Sequence, residues 1–391
     1  MVADASRHPM SDLAGYSTPH RLAAAEHDAA GLTLRWSDGQ RSRLHAIWLR
    51  DQCACPECRH PRALERTYAF IDHPAPVLDA ARIDASGDLE VSFRQGTRTH
   101  SSHFTRGWLR AQTLPDSRAD AARQLWDGDI ARRLCRIDYS RYIETAPGLH
   151  AWISSIKRDG IVLLRGVPVV PGHLLEVARR IGPVRGSNFG ELYDVVLMAN
   201  PNASAYTDLG LELHTDLANW RSPPDIQLLH CLKSSVTGGE SVFADGFAVA
   251  EALRRADPAA FELLATQPLE FRFHDEHCDI RASAPVIEIG RDGRPGRIRF
   301  NNWLRGATVF PPHIVDGMYA ALGTFWRLLR EPRYQLELRL EPGDLIGYDN
   351  ARVLHGRASF DASSGERHLQ GCYLNQEDLD STLRVLERPA R

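Results

Sequence analysis

Hydrophobic positions alternate with polar ones in many short runs of this chain, and a period of two predicts β-strands. Tyr334–Leu340 alternates in this way, and Gly160–Arg165 is a continuous apolar run typical of a buried strand. Helical periodicity is confined to residues 173–181, 247–266 and 315–329. Many non-consecutive strands with a few covering helices predict a mainly β architecture, either an antiparallel sandwich or a barrel with flanking helices.

The pattern changes along the chain in a way that predicts two domains. A chain of 391 residues is long for a single hydrophobic core. The start is polar and without periodicity, and a second polar, Ala-rich stretch follows Pro115. We therefore predict a flexible tail at residues 1–30, a small β-rich N-terminal domain at 31–115, a linker at 116–145 and a larger domain at 146–391.

Charge and hydropathy exclude several functional classes. The net charge of −3 gives no basic field that would recruit nucleic acid. The longest apolar runs are too short to span a bilayer, and the N-terminus lacks the apolar core of a signal peptide. We expect a soluble, cytoplasmic protein without nucleic-acid or membrane partners.

His214-Thr215-Asp216 and the distant His355 are candidate ligands of a metal ion. Two imidazoles and one carboxylate can hold one face of an Fe(II) ion and leave the other face open. The tripeptide alone is weak support, because composition predicts about two His-x-acid pairs by chance. The chain has three, at 214/216, 274/276 and 277/279. A surface pair that binds no metal is therefore a serious alternative.

The surrounding sequence favours the first pair. Gly238-Gly239-Glu-Ser241 places a hydroxyl after two flexible residues, and Arg367 follows His355 on the next predicted strand. The planar fork of an arginine matches a carboxylate through two hydrogen bonds. Arg367 could instead be an ordinary surface ion-pair partner, but that alternative leaves the joint arrangement unexplained.

Cys53, Cys55 and Cys58 lie at a spacing that suits a tetrahedral structural Zn(II), which needs one more ligand. The alternatives are buried core cysteines or a redox pair, and both fit poorly with a segment rich in Arg, Pro and polar residues. Seven cysteines, an odd number, also argue against a disulfide framework. Candidates for the fourth ligand are His60, His100 and His103.

From about residue 151 to 386 the chain resembles the γ-butyrobetaine hydroxylase branch of the taurine-dioxygenase-like Fe(II)/2-oxoglutarate oxygenases. The resemblance is carried, in order along the chain, by residues 205–207, 214–216, 227–231, 238–241, 350–357 and 367–373. It implies a double-stranded β-helix, or jelly roll. It also implies that His214, Asp216 and His355 bind iron, that Arg367 holds the C5-carboxylate of 2-oxoglutarate, and that Ser241 assists Arg367.

The resemblance extends to the N-terminal domain. The same family carries three cysteines at this spacing and a distant histidine. The match around His100-Ser-Ser-His103-Phe104 puts the fourth zinc ligand at His100, with His103 as the runner-up. Such a zinc would be structural, and the family implies a homodimer and admits ascorbate as a reductant.

The resemblance also implies how a substrate is held. A quaternary ammonium group is recognised by aromatic faces, and the family's aromatic cage matches Phe189, Tyr193, Tyr206 and Tyr373. Each of these aromatics alone could be an ordinary core residue. Asn301 matches one asparagine that holds the substrate carboxylate. The second asparagine position is Ala203, which departs from the pattern, and the adjacent Asn202 could substitute.

The prediction from the sequence is hydroxylation of a C–H bond in a small trimethylammonium substrate, at the expense of 2-oxoglutarate and O2. γ-Butyrobetaine, giving L-carnitine, is the first candidate. The alternatives within the class are trimethyllysine and a trimethylammonium phosphonate. An alternative from another class is a non-catalytic, zinc-containing binding protein that keeps only the fold.

Overall fold

The computed structural model describes residues 16–114, 123–197 and 207–387. These residues form two compact units, with residues 16–114 in the first and the remainder in the second. Within these ranges, no helix combines the length and apolar character that a membrane crossing requires.

The first unit contains two three-stranded antiparallel sheets in the order β1-β2-β3 and β4-β5-β6. Its strands are β1 (Leu22–Asp28), β2 (Gly31–Trp36), β3 (Arg41–His45), β4 (Val77–Ile83), β5 (Leu89–Gln95) and β6 (Arg98–Phe104). Its helices are α1 (Ala46–Asp51) and α2 (Arg106–Thr113). Alternate side chains of β2 and β5 are buried in one shared core, as expected for strands that each present one face to solvent.

The second unit begins with α3 (Ile130–Arg133), β7 (Arg136–Asp138), α4 (Tyr139–Glu144), α5 (Ala146–Asp159), β8 (Ile161–Arg165), α6 (Leu174–Arg179) and β9 (Tyr193–Val196). It continues with β10 (Leu211–His214), β11 (Ile226–Ser234), β12 (Thr237–Gly238), β13 (Ser241–Asp245), α7 (Gly246–Ala256), α8 (Pro258–Thr266), β14 (Leu269–His274), β15 (Asp279–Ala284), β16 (Ile287–Ile289) and β17 (Pro295–Ile298). It ends with α9 (Val315–Arg330), β18 (Gln335–Leu338), β19 (Leu345–Asp349), β20 (Val353–Arg357), β21 (Phe360–Asp361), β22 (Arg367–Leu374) and α10 (Gln376–Leu386).

Two facing sheets organise this unit. The larger has the order β7-β8-β19-β11-β22-β9, and the smaller has the order β10-β20-β13-β18. All pairs within them are antiparallel except β7 with β8. Successive long strands cross between the sheets, since β10 and β20 lie in the smaller one and β11, β19 and β22 in the larger. This order is that of a jelly roll, and the predicted fold class is confirmed.

The side chains of β11 show how the sheets are packed. Leu229 and Cys231 point into a core that they share with Phe243 of the smaller sheet. Ile226 and Leu228, on the opposite face of β11, pack in a separate core with residues of α5 and α6. A third core covers the smaller sheet with α7, α8 and α9. The space between the two sheets is therefore lined by alternate residues of each strand, and the candidate site lies there.

Two of the predicted domain limits differ from the observed elements. β1 lies inside the segment predicted as a tail; most of its side chains are at least partly exposed, so it shows no hydrophobic pattern. The segment predicted as a linker includes α3, β7 and α4, in which Ile130 and Ile137 are buried. The apolar residues of this segment are too sparse to show the periodicity of a helix or a strand.

β3 ends at His45, whose Nδ1 accepts a hydrogen bond from the backbone N–H of Ile47 and caps α1. One predicted element is also corrected. The helical stretch 247–266 is two helices, because Asp257 caps the second and Pro258 occupies its first turn. A proline cannot supply the N–H that a continuous helix needs there.

Candidate active site

Two strands of the smaller sheet bring His214 and His355 together. The residues are register partners in the β10–β20 pair, and their ring centroids lie 4.3 Å apart. Oδ1 of Asp216, two residues after the end of β10, lies 3.2 Å from Nε2 of His214 and 3.7 Å from Nε2 of His355. Ligand atoms held about 2.1 Å from one ion at right angles lie about 3 Å apart. The three side chains therefore fit one divalent metal ion.

The protonation state of these side chains also suits a metal. Nδ1 of His214 donates to the backbone carbonyl of Glu212 at 2.9 Å, which leaves Nε2 with a free lone pair. Burial, together with the nearby His214, lowers the pKa of His355 to about 3. Burial alone would raise the pKa of Asp216, but His355, His214 and a hydrogen bond from Tyr373 hold it well below its usual range. The site thus offers a carboxylate and imidazole nitrogens, as metal binding requires.

Asn350 fixes the backbone of Asp216. Its Oδ1 accepts from the N–H of Asp216 at 2.8 Å, and its Nδ2 donates to the carbonyls of Asp216 and Pro224 at 3.2 and 2.9 Å. The next residue, Leu217, has a φ of 53°, which is unusual for a branched side chain. Asn350 therefore stabilises a strained turn beside the candidate metal ligand. Its motif is recognised in the sequence, but no role is predicted for it.

A pocket extends from the three candidate iron ligands to Ser241, Arg357 and Arg367. Its walls include the apolar residues Val195, Leu211, Leu229, Phe243 and Leu369. Ser241 is paired with Arg357 and Phe243 with His355 across β13 and β20. Two residues along a strand span about 7 Å, so this pocket has a length comparable with that of a five-carbon dicarboxylate.

Arg367 is suited to bind an anion. Within the described ranges its guanidinium makes no hydrogen bond and no ion pair, while burial and the neighbouring Arg357 lower its pKa to about 10. A partly buried cation without a partner is costly, so a carboxylate would be bound strongly. Gly239 has a φ of 75°, and a Cβ there would lie only 3.3 Å from Cδ of Arg367. Gly239 thus allows the chain to approach the arginine closely, and the pocket fits 2-oxoglutarate.

Three of the four predicted cage aromatics are near one another. The ring centroids of Phe189 and Tyr193 are 6.5 Å apart, and those of Tyr193 and Tyr373 are 5.2 Å apart. Phe273 of the β14–β15 hairpin joins them, with its centroid 5.6 Å from that of Phe189. Phe273 is not predicted as a cage residue from the sequence, because its place beside Phe189 depends on how the β14–β15 hairpin folds. The predicted residues Asn202 and Tyr206, and Ala203, lie outside the described ranges.

Two of these tyrosines also bond polar groups of the pocket. The hydroxyl of Tyr373 donates to Oδ2 of Asp216 at 2.7 Å, and the hydroxyl of Tyr193 accepts from Nε2 of Gln227 at 2.8 Å. Tyr373 is almost fully buried, with 2% of its surface exposed. The sequence predicts Tyr373 only as a cage residue, so its bond to the candidate metal ligand is a second contact that the prediction misses.

Asn301 is engaged mainly with its own turn. Its Oδ1 accepts from the N–H groups of Trp303 and Leu304, each at 3.2 Å, and its Nδ2 donates to the carbonyl of Thr215 at 3.3 Å. The turn places the indole of Trp303 edge-on to His214, with ring centroids 5.8 Å apart. These bonds engage both polar ends of the Asn301 side chain, and the ring contact identifies Trp303 as a neighbour of the site.

The predicted zinc ligands also converge. Cys53, Cys55, Cys58 and His100 offer ligand atoms within 4.8 Å of one another. Nε2 of His100 lies 3.2 Å from the sulfur atom of Cys53 and 3.7 Å from those of Cys55 and Cys58. His103 bonds Asp84 instead, at 2.8 Å. Nδ1 of the third candidate, His60, accepts from the backbone of Arg62 and Ala63. The cluster is compatible with a tetrahedral zinc ion.

Arg50 stabilises the charge of this cluster. Its Nη1 donates to Sγ of Cys58 at 3.1 Å, and its Nε donates to Gln95 at 2.9 Å. Its guanidinium stacks over the ring of Tyr68, 3.8 Å from the ring centroid. Three thiolates and one neutral imidazole around Zn²⁺ would leave a net charge of −1, which the arginine would offset. No pattern in the sequence identifies Arg50.

Two family models match the chain. The model of the taurine catabolism dioxygenase TauD, TfdA family matches residues 122–373. The model of the γ-butyrobetaine hydroxylase-like N-terminal domain matches residues 24–110. Together these matches cover most of both units.

Complete relatives align over nearly the whole chain. It is 39% identical to the γ-butyrobetaine dioxygenase of Pseudomonas sp. (strain AK-1) over 375 residues, which are 94% of this chain and 96% of the relative. It is 32% identical to the human γ-butyrobetaine dioxygenase, over 91% of this chain and 94% of the relative. It is 29% identical to the mitochondrial trimethyllysine dioxygenase of Rattus norvegicus, over 88% of this chain and 83% of the relative. The chain therefore belongs to the TauD, TfdA family, and it is an Fe(II)- and 2-oxoglutarate-dependent dioxygenase that acts on a small molecule.

Proposed function

We propose that this enzyme hydroxylates γ-butyrobetaine to L-carnitine. In the overall reaction, 2-oxoglutarate, O2 and the substrate C–H bond give succinate, CO2 and a C–OH group. The observation that carries the proposal is one pocket that joins the His214–Asp216–His355 group to Arg367 and to the ring of Tyr193. The identity to γ-butyrobetaine dioxygenases over almost the full chain supports this choice of substrate.

Each end of the pocket would have its own task. His214, Asp216 and His355 would hold Fe(II), and Arg367 with Ser241 would hold the distal carboxylate of 2-oxoglutarate. Bound Fe(II) would supply the activation of O2 that allows an unactivated C–H bond to be oxidised. The apolar walls between the two ends exclude water and keep the dicarboxylate in one orientation, which matters because a small misplacement lowers the rate steeply.

The aromatic side of the pocket would orient the substrate. A trimethylammonium group has no conventional N–H to donate, so it is held by attraction to ring faces within about 6 Å. Phe189, Tyr193 and Tyr373 are adjacent rings of the kind required, and Tyr206 is the fourth predicted member. Asn301, with Asn202, would contact the anionic end. Fixing both ends of the substrate would decide which carbon faces the metal.

The cysteine cluster would have a structural task. Cys53, Cys55, Cys58 and His100 would fill all four positions of a tetrahedral zinc ion, which leaves no position for a substrate. The bound ion would tie α1 and the residues after it to β6, since His100 belongs to that strand. The predicted homodimer and cytoplasmic location stay predictions from the sequence.

Trimethyllysine is the second candidate substrate, because a trimethyllysine dioxygenase also aligns over most of the chain. A trimethylammonium phosphonate is the third, since Ala203 departs from the family pattern at the anionic end. A turnover screen separates them: Fe(II)-loaded enzyme is given 2-oxoglutarate, O2 and each compound, with taurine as a control, and succinate and hydroxylated product are measured. We expect the highest kcat/KM with γ-butyrobetaine. Turnover of another compound alone would reassign the substrate, and no turnover with any quaternary amine would overturn the proposal.

A further inference from the structure

The two oxygens of the Asp216 carboxylate have different surroundings. Oδ1 faces Nε2 of both histidines, at 3.2 and 3.7 Å. Oδ2 accepts the hydroxyl hydrogen bond of Tyr373 at 2.7 Å. One oxygen is thus directed at the candidate metal position, and the other is held by a protein donor.

Tyr373 is fixed in the position from which it donates. It lies on β22 opposite Gln227 of β11, and its ring packs against that of Tyr193. Its backbone carbonyl accepts from the N–H of Arg185 at 2.8 Å. The hydroxyl of Tyr193 is held in turn by Gln227. The packing has therefore already ordered the phenol, and the hydrogen bond to Asp216 costs little further entropy.

We propose that Tyr373 is a positioning residue that reserves Oδ2 and so keeps Asp216 a one-oxygen ligand of the metal. This inference rests on the iron site of the proposed function. Three protein ligand atoms would leave room on the metal for a chelating 2-oxo acid and O2. A second oxygen of Asp216 would take part of that room. The hydrogen bond from Tyr373 to Oδ2 would prevent this.

The test compares two buried tyrosines beside the site. Tyr373→Phe removes the hydrogen bond to Asp216. Tyr348→Phe is the matched control, because Tyr348 is fully buried with its ring centroid 5.1 Å from that of His355. Its hydroxyl has no hydrogen-bond partner within the described ranges. Iron is removed from both variants of the full chain while the cysteine cluster keeps its zinc, because Co(II) would otherwise also bind the thiolates. The proteins are then titrated with Co(II) alone, and the affinity and the visible absorption spectrum are measured.

We expect Tyr373→Phe to weaken Co(II) binding by about 10- to 100-fold, the range typical of partners that orient a metal ligand. Its spectrum should change as the carboxylate becomes free to bind through both oxygens. Tyr348→Phe should match the wild type in both measurements. The unfolding temperature of the iron-free, zinc-containing proteins, which a purely structural loss would lower, should be similar.

Wild-type affinity and spectrum in Tyr373→Phe would overturn the inference while leaving the proposed function intact. Failure of the wild type itself to bind Co(II) would overturn both. If Tyr373→Phe does not fold, Tyr193→Phe replaces it, because the hydroxyl of Tyr193 interacts with that of Tyr373. A smaller loss of affinity is then expected, and unchanged binding and spectrum would count against the inference.

Discussion

His214 and His355 stand opposite each other in an antiparallel strand pair, with ring centroids 4.3 Å apart and both Nε2 atoms directed at one oxygen of Asp216. A Cβ on Gly356 would lie 2.5 Å from the carbonyl oxygen of Leu211. The glycine beside His355 therefore lets β20 approach β10 closely. Formation of the smaller sheet is thus sufficient to bring the two histidines to one position.

The first prediction concerns this pair of histidines. His214→Ala should abolish Fe(II) binding, because it removes one of three ligand atoms. His277→Ala is the control from another His-x-acid pair, since the side chain of His277 is highly exposed and lies 3.1 Å from that of Glu276 on the surface. Anaerobic Fe(II) titration followed by calorimetry measures both. Loss of iron in the His277 variant with retention in the His214 variant would mean that the wrong pair was chosen.

The second prediction concerns Arg367. Arg367→Ala should weaken 2-oxoglutarate binding at least about 10-fold, since hydrogen bonds to charged groups contribute roughly 1.5–3 kcal/mol. Arg367→Lys should recover part of the loss, because it restores the charge without the planar fork. Anaerobic calorimetry of the Fe(II)-loaded protein gives the affinities.

Arg333→Ala is the control for that measurement, because Arg333 is exposed and pairs with Glu331 on the surface. It should bind 2-oxoglutarate as the wild type does. Equal affinity of Arg367→Ala and the wild type would show that the carboxylate is held elsewhere in the pocket.

Short motifs made much of this site predictable. The three cysteines lie within six residues, so their spacing suggests a metal site. His214 and Asp216 are two residues apart, but this pair gains weight only from the surrounding motifs. Many short alternating runs predict an antiparallel sandwich or a barrel, and the resemblance to the oxygenase family implies the jelly roll. Arg367 is predictable because its strand follows that of His355 and the residue type matches a carboxylate.

Other contacts depend on residues that are remote in the sequence. Asn350 bonds Asp216 from 134 positions away in the sequence, and Tyr373 bonds the same residue from 157 positions away. No local pattern encodes such pairs, because sheet register decides them. The break at Asp257–Pro258 is different in kind: a capping residue followed by proline was a readable local signal, and the continuous helical periodicity on both sides obscured it.

The third prediction concerns zinc. Cys53→Ser, Cys55→Ser and His100→Ala should lose zinc, as measured by elemental analysis of the purified protein. His103→Ala should keep it, because His103 bonds Asp84 rather than the cluster. Zinc retained in the His100 variant and lost in the His103 variant would move the fourth ligand to His103.

The fourth prediction concerns acid stability. His230 on β11 is fully buried, both ring nitrogens lack a partner within the described ranges, and burial lowers its pKa to about 4 from an ordinary value of 6.5. The unfolded chain therefore binds the proton more readily than the folded one. His230 therefore does not lower the free energy of unfolding above pH 6.5. Below that pH it lowers this free energy progressively, until the pH reaches about 4.

His230→Leu should remove this pH dependence while filling a similar volume. As the pH is lowered from 7 to 4, the unfolding temperature should fall less steeply for the variant than for the wild type. The variant should be at least as stable as the wild type in acid. Parallel curves for the two proteins across that range would show that His230 does not titrate in the folded state as described.

The most direct test of the whole account is turnover of γ-butyrobetaine under ¹⁸O₂ with 2-oxoglutarate and Fe(II). The products are analysed by mass spectrometry. Because one oxygen atom goes to each product of the coupled reaction, we predict one labelled oxygen in succinate, one in the hydroxylated product, and equal amounts of the two. Hydroxylated product that forms without succinate, or that takes its oxygen from water, would contradict the account.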